Sequence, residues 1–197
     1  YMEIILASGS PRRKELLGAM GLTFSVRTSC ADETIEEGLP PFFVVEQLSL
    51  LKASSVASIV KSEGKEAVII GADTIVVSEG TILTKPSDEE DAKAILSALA
   101  GKWHSVLTGV TVMNTKNAKS ESFYVETKVH FIALTQEQID AYVKTGEPMD
   151  KAGAYGIQGR GALFVDKLDG DYFNVVGLPV CKLAQVLKAE FDIDCMA

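Results

Sequence analysis

Glu3 to Ala7 (EIILA) is a short apolar run rich in β-branched residues, and it stops at Ser8-Gly9-Ser10-Pro11. A run of this kind reads as a buried strand. Directly behind it, RRKELLGAMG places Leu16, Leu17 and Met20 at helical spacing, with Gly18 and Gly21 loosening the end. Ser10 is a good N-cap and Pro11 suits the first helical position. A buried strand that opens directly into a helix across one short turn is a familiar physical arrangement. The turn also carries an electrostatic anomaly. Arg12, Arg13 and Lys14 put three cations in the first helical turn, where Asp or Glu is preferred and each mismatch costs about 0.3–1 kcal/mol. Arg13 occupies the position where a capping box would have Glu. An anion resting on the exposed amides would reverse that penalty, with serine hydroxyls and arginine forks completing the grip. Cations pointing into solvent or pairing with nearby acids are the plainer reading. No GxxxxGKS is present, so the turn is not a Walker P-loop.

The remainder of the chain repeats the mixture of strands and helices. Phe24–Arg27 alternates as a strand, and the acidic segment 31–41 ends in Pro40-Pro41 and reads as a loop. From Phe42 to Val60, Val45, Leu48, Leu51, Val56 and Ile59 suggest a longer helix. Ala67–Ile70 (AVII) reads as a second buried strand ending in Gly71-Ala72-Asp73-Thr74. Ile75–Ser78 and Thr81–Leu83 flank Glu79-Gly80, a hairpin signal. Ser87-Asp88-Glu89-Glu90 fits a capping box before a helix with Ala92, Ile95, Leu96 and Leu99 on one face. Residues 103–114 and 122–133 read as two long antiparallel strands. Thr135 to Gln138 opens another capped helix, ending near Gly146. Gly153–Val165 (GAYGIQGRGALFV) begins as a glycine-rich loop and becomes a strand, and Leu178–Phe191 closes as an amphipathic helix. The fold class is therefore α/β with a mixed sheet.

Size and charge narrow the function. The 197 residues are enough for one domain that buries roughly 70% of its unfolded surface, without disulfides or structural metal. The net charge of −8 argues against binding to polymeric nucleic acid and to an anionic membrane face. A few cations gathered in one place still suffice for a small anion. Cys30, Cys181 and Cys195 have no CxxC spacing and read as reduced thiols of a cytoplasmic protein. No apolar run approaches the ~20 residues of a membrane span. Tyr1, ahead of Met2, reads as an addition to the chain.

Several side chains are candidates for chemistry. Asp73, read at the carboxyl end of a buried strand, stands where ligand sites collect in α/β sheets. A carboxylate there can hold a divalent metal against phosphate oxygens or deprotonate a water; equally, it can cap the turn into the hairpin. Lys85, fixed by Pro86, can neutralise charge on a transferred phosphoryl group or stand as a surface lysine. Glu33 lies in an acidic loop with Asp32, Glu36 and Glu37, and Lys52 lies beside an apolar stripe. Gln158, in bare glycine backbone, can hydrogen-bond a base edge. His104 and His130 have no metal-ligand spacing and read as structural, and Trp103 reads as core or rim.

LASGSPRRKELL, GADTIVV, TKPSDEEDA, DKAGAYGIQGRGALFV and NVVGLPV form five ordered motifs over nearly the whole chain. In these the chain resembles the Maf nucleotide pyrophosphatases. The resemblance implies one domain over residues 1–197, with a mixed sheet in two lobes around a central cleft, as in inosine-triphosphate pyrophosphatases. It implies attack by water at the α-phosphorus of a nucleoside triphosphate, releasing pyrophosphate, with Mg²⁺ or Mn²⁺ as cofactor. By motif position Asp73 is the general base or a metal-linked carboxylate, and Glu33 a further acidic or metal residue. Ser8, Ser10, Arg12, Arg13, Lys52 and Lys85 contact the phosphates and the transition state. Arg12, Thr74 and Gln158 fall where substrate preference is set. The KAGAYGIQG form resembles the branch acting on dTTP and UTP; a 7-methyl-GTP branch differs in that stretch. The resemblance also implies a homodimer. Its rivals are a non-catalytic nucleotide-binding regulator of cell division, and a phosphatase releasing orthophosphate.

Overall fold

The computed structural model describes residues 2–197, and Tyr1 lies outside them. The strands are β1 (Glu3–Leu6), β2 (Ser25–Val26), β3 (Ala67–Ser78), β4 (Thr81–Leu83), β5 (Trp103–Asn114), β6 (Ser120–Phe131) and β7 (Val165–Asp169). The helices are α1 (Pro11–Ala19), α2 (Pro41–Ser62), α3 (Glu89–Leu99), α4 (Gln136–Lys144), α5 (Tyr172–Val176) and α6 (Val180–Phe191). Among the described residues the sheet has seven strands in the order β2-β1-β3-β5-β6-β7, with β4 beside β3. β1 runs parallel to β2 and β3, whereas β4 is antiparallel to β3 and β7 antiparallel to β6. The sheet is mixed, as expected from the hairpin signals among the interleaved helices and strands.

The chain divides into two compact units. The first comprises the chain up to Asp73 with Thr108–Val125 and Gly177–Ala197; the second comprises Thr74–Leu107 and Glu126–Val176. In the first unit α2 lays Ala53, Val56, Ala57 and Val60 on Ile5, Ala7, Ala67 and Ile69. Burying each such valine or isoleucine contributes about 1.5–3 kcal/mol. Two glycines let the helix lie directly on strand backbone. A Cβ at Gly71 would stand 2.6 Å from the Ser49 carbonyl oxygen, and one at Gly109 would stand 2.2 Å from that of Val45. In the second unit Phe131 is the centre of an aromatic cluster. Tyr155, Phe164 and His104 pack edge-on around it, with ring centroids 4.7, 5.9 and 5.0 Å away. α3 and α4 close this core with Leu96, Leu99, Ile139, Tyr142 and Val143.

Several boundaries differ from the sequence reading. Gly71-Ala72-Asp73-Thr74 is no turn: β3 runs unbroken through it. Gly71 marks the approach of α2, not a break in the strand. The cap of α3 is Asp88, one residue later than expected, with the Asp91 amide donating to its carboxylate at 2.7 Å. Ser87 instead bonds the Asp91 side chain. Arg160–Phe164 is a 3₁₀ turn, so β7 starts only at Val165, and the short α5 had no distinct signal. α2, at 22 residues, is long and apolar enough to cross a membrane by length and composition, contrary to the expectation that nothing approached a span. Its Val44, Val45, Leu48, Ala53, Val56, Ala57 and Val60 are buried within the fold, as in a core helix of the same composition.

Candidate active site

The turn after β1 is built as the sequence suggested. The Ala7 amide continues the sheet by donating to the Ile70 carbonyl at 2.8 Å, and the chain then leaves the strand at Ser8. Ser10 caps α1: the Arg13 amide donates to its Oγ at 3.4 Å, with Pro11 at the first helical position and no acid in the first turn. Ser8 is buried, and its Oγ accepts from the Ser10 amide at 3.2 Å and from Arg13 Nη1 at 3.3 Å. Arg13 therefore folds back across the turn instead of pointing into solvent. Its Nε donates to the Gly177 carbonyl at 2.8 Å. Burial lowers the Arg13 pKa, with Asp73 and Glu33 opposing and Arg12 adding to the shift; a guanidinium stays charged regardless. Arg12 is half-buried and Lys14 exposed.

Asp73 is brought to the same unit by a different route. It lies in the middle of β3, between the stretch that pairs with β1 (Ala67–Ile70) and the stretch that pairs with β4 (Val76–Ser78). The place expected at a strand end is thus a strand interior, just past the last residue paired with β1. Lys52, projecting from α2, donates to Asp73 Oδ1 at 2.7 Å and also meets Glu33 Oε1 at 3.4 Å. The Lys52 and Asp73 side chains are 15% and 14% exposed and Glu33 is 58% exposed, so the first pair is well shielded and the second is open to water. Ser8, Ser10, Arg13, Lys52, Asp73 and Glu33 thus form two linked clusters of polar side chains in one unit. Gly177, whose carbonyl holds Arg13, is the partner that residue-by-residue reading missed. Its only trace is the NVVGLPV motif, which says nothing about where that loop lies.

The other candidates belong to the second unit. Thr74, half-buried, follows Asp73 along β3. Lys85 is exposed just after β4, next to the buried Pro86, and the neighbouring Thr84 carbonyl accepts from the Gly153 amide at 3.3 Å. That bond ties the Lys-Pro segment to the glycine-rich stretch carrying Gln158, which is itself exposed. His104 is buried and its Nε2 lies 2.6 Å from the Tyr155 hydroxyl; burial, helped by the charge of His130, pushes its pKa down to about 4. His130 Nδ1 pairs with Asp166, and its ring lies 5.1 Å from Trp103, which is a rim residue. Cys30, Cys181 and Cys195 are free thiols.

A turn that gathers hydroxyls and a guanidinium, beside carboxylates bridged by a lysine, is equipped for phosphate chemistry. The sequence pattern of one family, described as Maf-like protein, matches residues 3–190. This chain belongs to the Maf family. It is 49% identical over 193 residues to the dTTP/UTP pyrophosphatase of Alkaliphilus metalliredigens, covering 98% of both chains. It is 50% identical to the dTTP/UTP pyrophosphatase of Bacillus pumilus, over 94% of this chain and 95% of that one. With the dTTP/UTP pyrophosphatase of Thermoanaerobacter pseudethanolicus the identity is 52%, over 98% of each chain. Among solved structures, a nucleoside-triphosphatase (dITP/XTP pyrophosphatase) from Mycobacterium abscessus aligns at a TM-score of 0.40 and 14% identity, over 68% of this chain and 76% of that one.

Proposed function

We propose that this Maf-family chain hydrolyses dTTP and UTP to the nucleoside monophosphate and pyrophosphate. The observation that carries the reading is the pairing, in one unit, of the Ser8–Arg13 phosphate turn with the Asp73–Lys52–Glu33 cluster. The activity named for relatives about 50% identical over almost the full chain supports it. In this reading the Ser8 and Ser10 hydroxyls with Arg12 and Arg13 grip the phosphate oxygens. Arg13 meets them pre-oriented by Gly177 and Ser8, so little rotamer freedom is lost on binding. Asp73 accepts the proton of the attacking water. The new bond joins the water oxygen to the α-phosphorus, the bond to the bridging oxygen breaks, and pyrophosphate leaves with that electron pair. Lys52 holds Asp73 in place through its 2.7 Å bond. Lys85, assigned by motif position, neutralises charge on the leaving group, while Thr74 and Gln158 join Arg12 in choosing the nucleotide.

Asp73 and Glu33 offer hard oxygen donors that converge on one cationic atom, the Lys52 Nζ. Mg²⁺ commonly takes one or two carboxylates and completes its shell with water and substrate phosphate, so this donor pair fits Mg²⁺ or Mn²⁺. Among the described residues no group of three or more His, Cys, Asp or Glu is placed to hold a metal ion, so water and substrate phosphate would complete the shell around this pair. When bound, such an ion supplies neutralisation of phosphate charge. The reading also includes a homodimer and a cytoplasmic location. Phe42, Phe43 and Leu50 on α2, 43%, 39% and 40% exposed, are apolar surface of the kind a dimer covers.

The test is to incubate the protein with a panel of nucleotides and Mg²⁺ or Mn²⁺, measuring pyrophosphate and orthophosphate separately. Pyrophosphate from dTTP and UTP above all others is the expected result. Orthophosphate alone would make it a phosphatase, and binding with no release would make it a regulator. Preference for 7-methyl-GTP would overturn the base assignment while leaving the reaction standing.

A further inference from the structure

Gln158 sits on a glycine-rich turn in which three backbone amides find their acceptors outside the turn. Glu147, from the 3₁₀ turn Glu147–Asp150 that follows α4, provides two of those bonds directly. Its Oε2 accepts from the Arg160 amide at 3.0 Å, and its Oε1 from the Gly161 amide at 3.1 Å. Oε1 also accepts from the Tyr142 hydroxyl at 2.6 Å, and that hydroxyl accepts in turn from the Gly156 amide at 3.1 Å. The chain is thus held two residues before Gln158 and two and three residues after it. Burial works against ionisation of Glu147, but the bonds from Tyr142 and the Gly161 and Arg160 amides outweigh it and hold the carboxyl below its usual range. An ionised carboxylate only accepts, which matches a site where every facing group donates.

The network is anchored and tight. The Tyr142 ring is buried in the second unit's core, edge-on to Phe164 at 4.9 Å. Lys151 Nζ donates to the Glu147 carbonyl at 2.8 Å. A Cβ at Gly159 would fall 2.4 Å from a Glu147 carboxylate oxygen, and one at Gly161 would fall 2.5 Å from the Gly156 carbonyl oxygen. Of the two glycines of GRG, Gly159 is therefore dictated by the Glu147 carboxylate and Gly161 by the Gly156 backbone and the Tyr142 hydroxyl. A half-buried acid that fixes an exposed glutamine through backbone amides has a consequence for recognition, because an amide can read a base edge only from a fixed position.

We propose that Glu147, with Tyr142, is a positioning residue for base selection: it holds the Gly156–Gly161 turn so that Gln158 presents its amide to the pyrimidine. The inference rests on the reading that Gln158 meets the base. The test compares kcat/KM for dTTP with that for dCTP in the wild type and in Gln158→Ala, Glu147→Gln, Glu147→Asp and Tyr142→Phe. Glu147→Gln turns an acceptor into an NH₂ facing a donor, and should cut the dTTP/dCTP ratio about tenfold, chiefly through KM, with kcat changed less than about threefold. Tyr142→Phe should shift the ratio in the same direction by less. Glu147→Asp, which keeps the charge, should recover part of the loss. Amide hydrogen exchange over Gly156–Gly161 should quicken in Glu147→Gln. If Gln158→Ala lowers the ratio while Glu147→Gln leaves it at the wild-type value, the positioning role is wrong. An equal loss of kcat for both nucleotides, at an unchanged ratio, would likewise make Glu147 a purely structural residue. If Gln158→Ala itself leaves the ratio intact, it is the Gln158 reading that fails, and the inference falls with it. Should Glu147→Gln not fold, Tyr142→Phe decides, and an unchanged ratio there overturns the proposal.

Discussion

In the first unit a cation stiffens the functional turn: Arg13 reaches back to the Ser8 hydroxyl and across to the Gly177 carbonyl. In the second unit an anion stiffens the glycine turn: Glu147 accepts from a phenol and two backbone amides. The two differ in what stands around them. Arg13 has Arg12, Asp73 and Glu33 close enough to shift its pKa, so the first unit concentrates charge of both signs. Glu147 instead accepts from neutral donors of the protein itself, and its local work is structural. The first arrangement is suited to meeting a polyanion and the second to holding a shape. Substitutions in the two should consequently be felt in different measurements, rate in the first unit and stability or selectivity in the second.

Asp73→Asn is the sharpest way to break that contrast. Pyrophosphate release should fall about 10²–10⁴-fold, the range associated with a lost general base, with the fold retained by circular dichroism. Turnover at the wild-type rate would remove Asp73 as the base. Next in size is Arg13→Lys, which keeps the charge and loses the fork. It cannot reach Gly177 and Ser8 with two nitrogens at once, and kcat/KM should drop roughly 10–100-fold in steady-state assays. An effect confined to stability would place Arg13 with Glu147 and erase the distinction between the units.

The last contrast is read in stability and not in rate, and it belongs to His104. Its pKa is near 4 in the fold against 6.5 otherwise, so between those values the unfolded chain binds a proton that the folded chain refuses. Stability contributed by the neutral imidazole is complete above pH 6.5 and is lost as the pH falls towards 4, by at most about 3 kcal/mol. Chemical denaturation from pH 7 to 4 should show a shallower loss in His104→Gln than in the wild type. Identical slopes would mean that the buried imidazole is not what resists acid in the second unit.

How much was legible follows from the distance over which each feature is decided. The Ser10 cap and the Thr135–Gln138 box bind groups three residues apart, and both were readable because the chain itself holds the partners in reach. The Asp88 cap was misplaced by one residue because Ser87 and Asp88 are both competent caps, and only the backbone's entry into α3 selects between them. GRGALFV looked like the start of a strand from its apolar residues. Two of its amides go to Glu147, thirteen and fourteen residues earlier, and the chain turns instead. Gly71-Ala72 looked like a strand end because glycine weakens strands. The glycine is explained by the Ser49 carbonyl of α2, a contact that no local window contains.

By itself the sequence determined the βα turn with its capped, cation-rich helix, the α/β class, and the five ordered motifs that mark the Maf family. These depend on residue type, short-range periodicity and order along the chain. Only the tertiary structure decided that Lys52 bridges Asp73 and Glu33, that Gly177 clamps Arg13 from 164 residues away, and that Glu147 lies beneath the Gln158 turn. Each of those contacts depends on where packed elements come to rest, as α2 does on the bare backbone at Gly71 and Gly109. Packing of that kind fixes side-chain positions to fractions of an ångström, whereas hydrophobic pattern specifies only which face is buried.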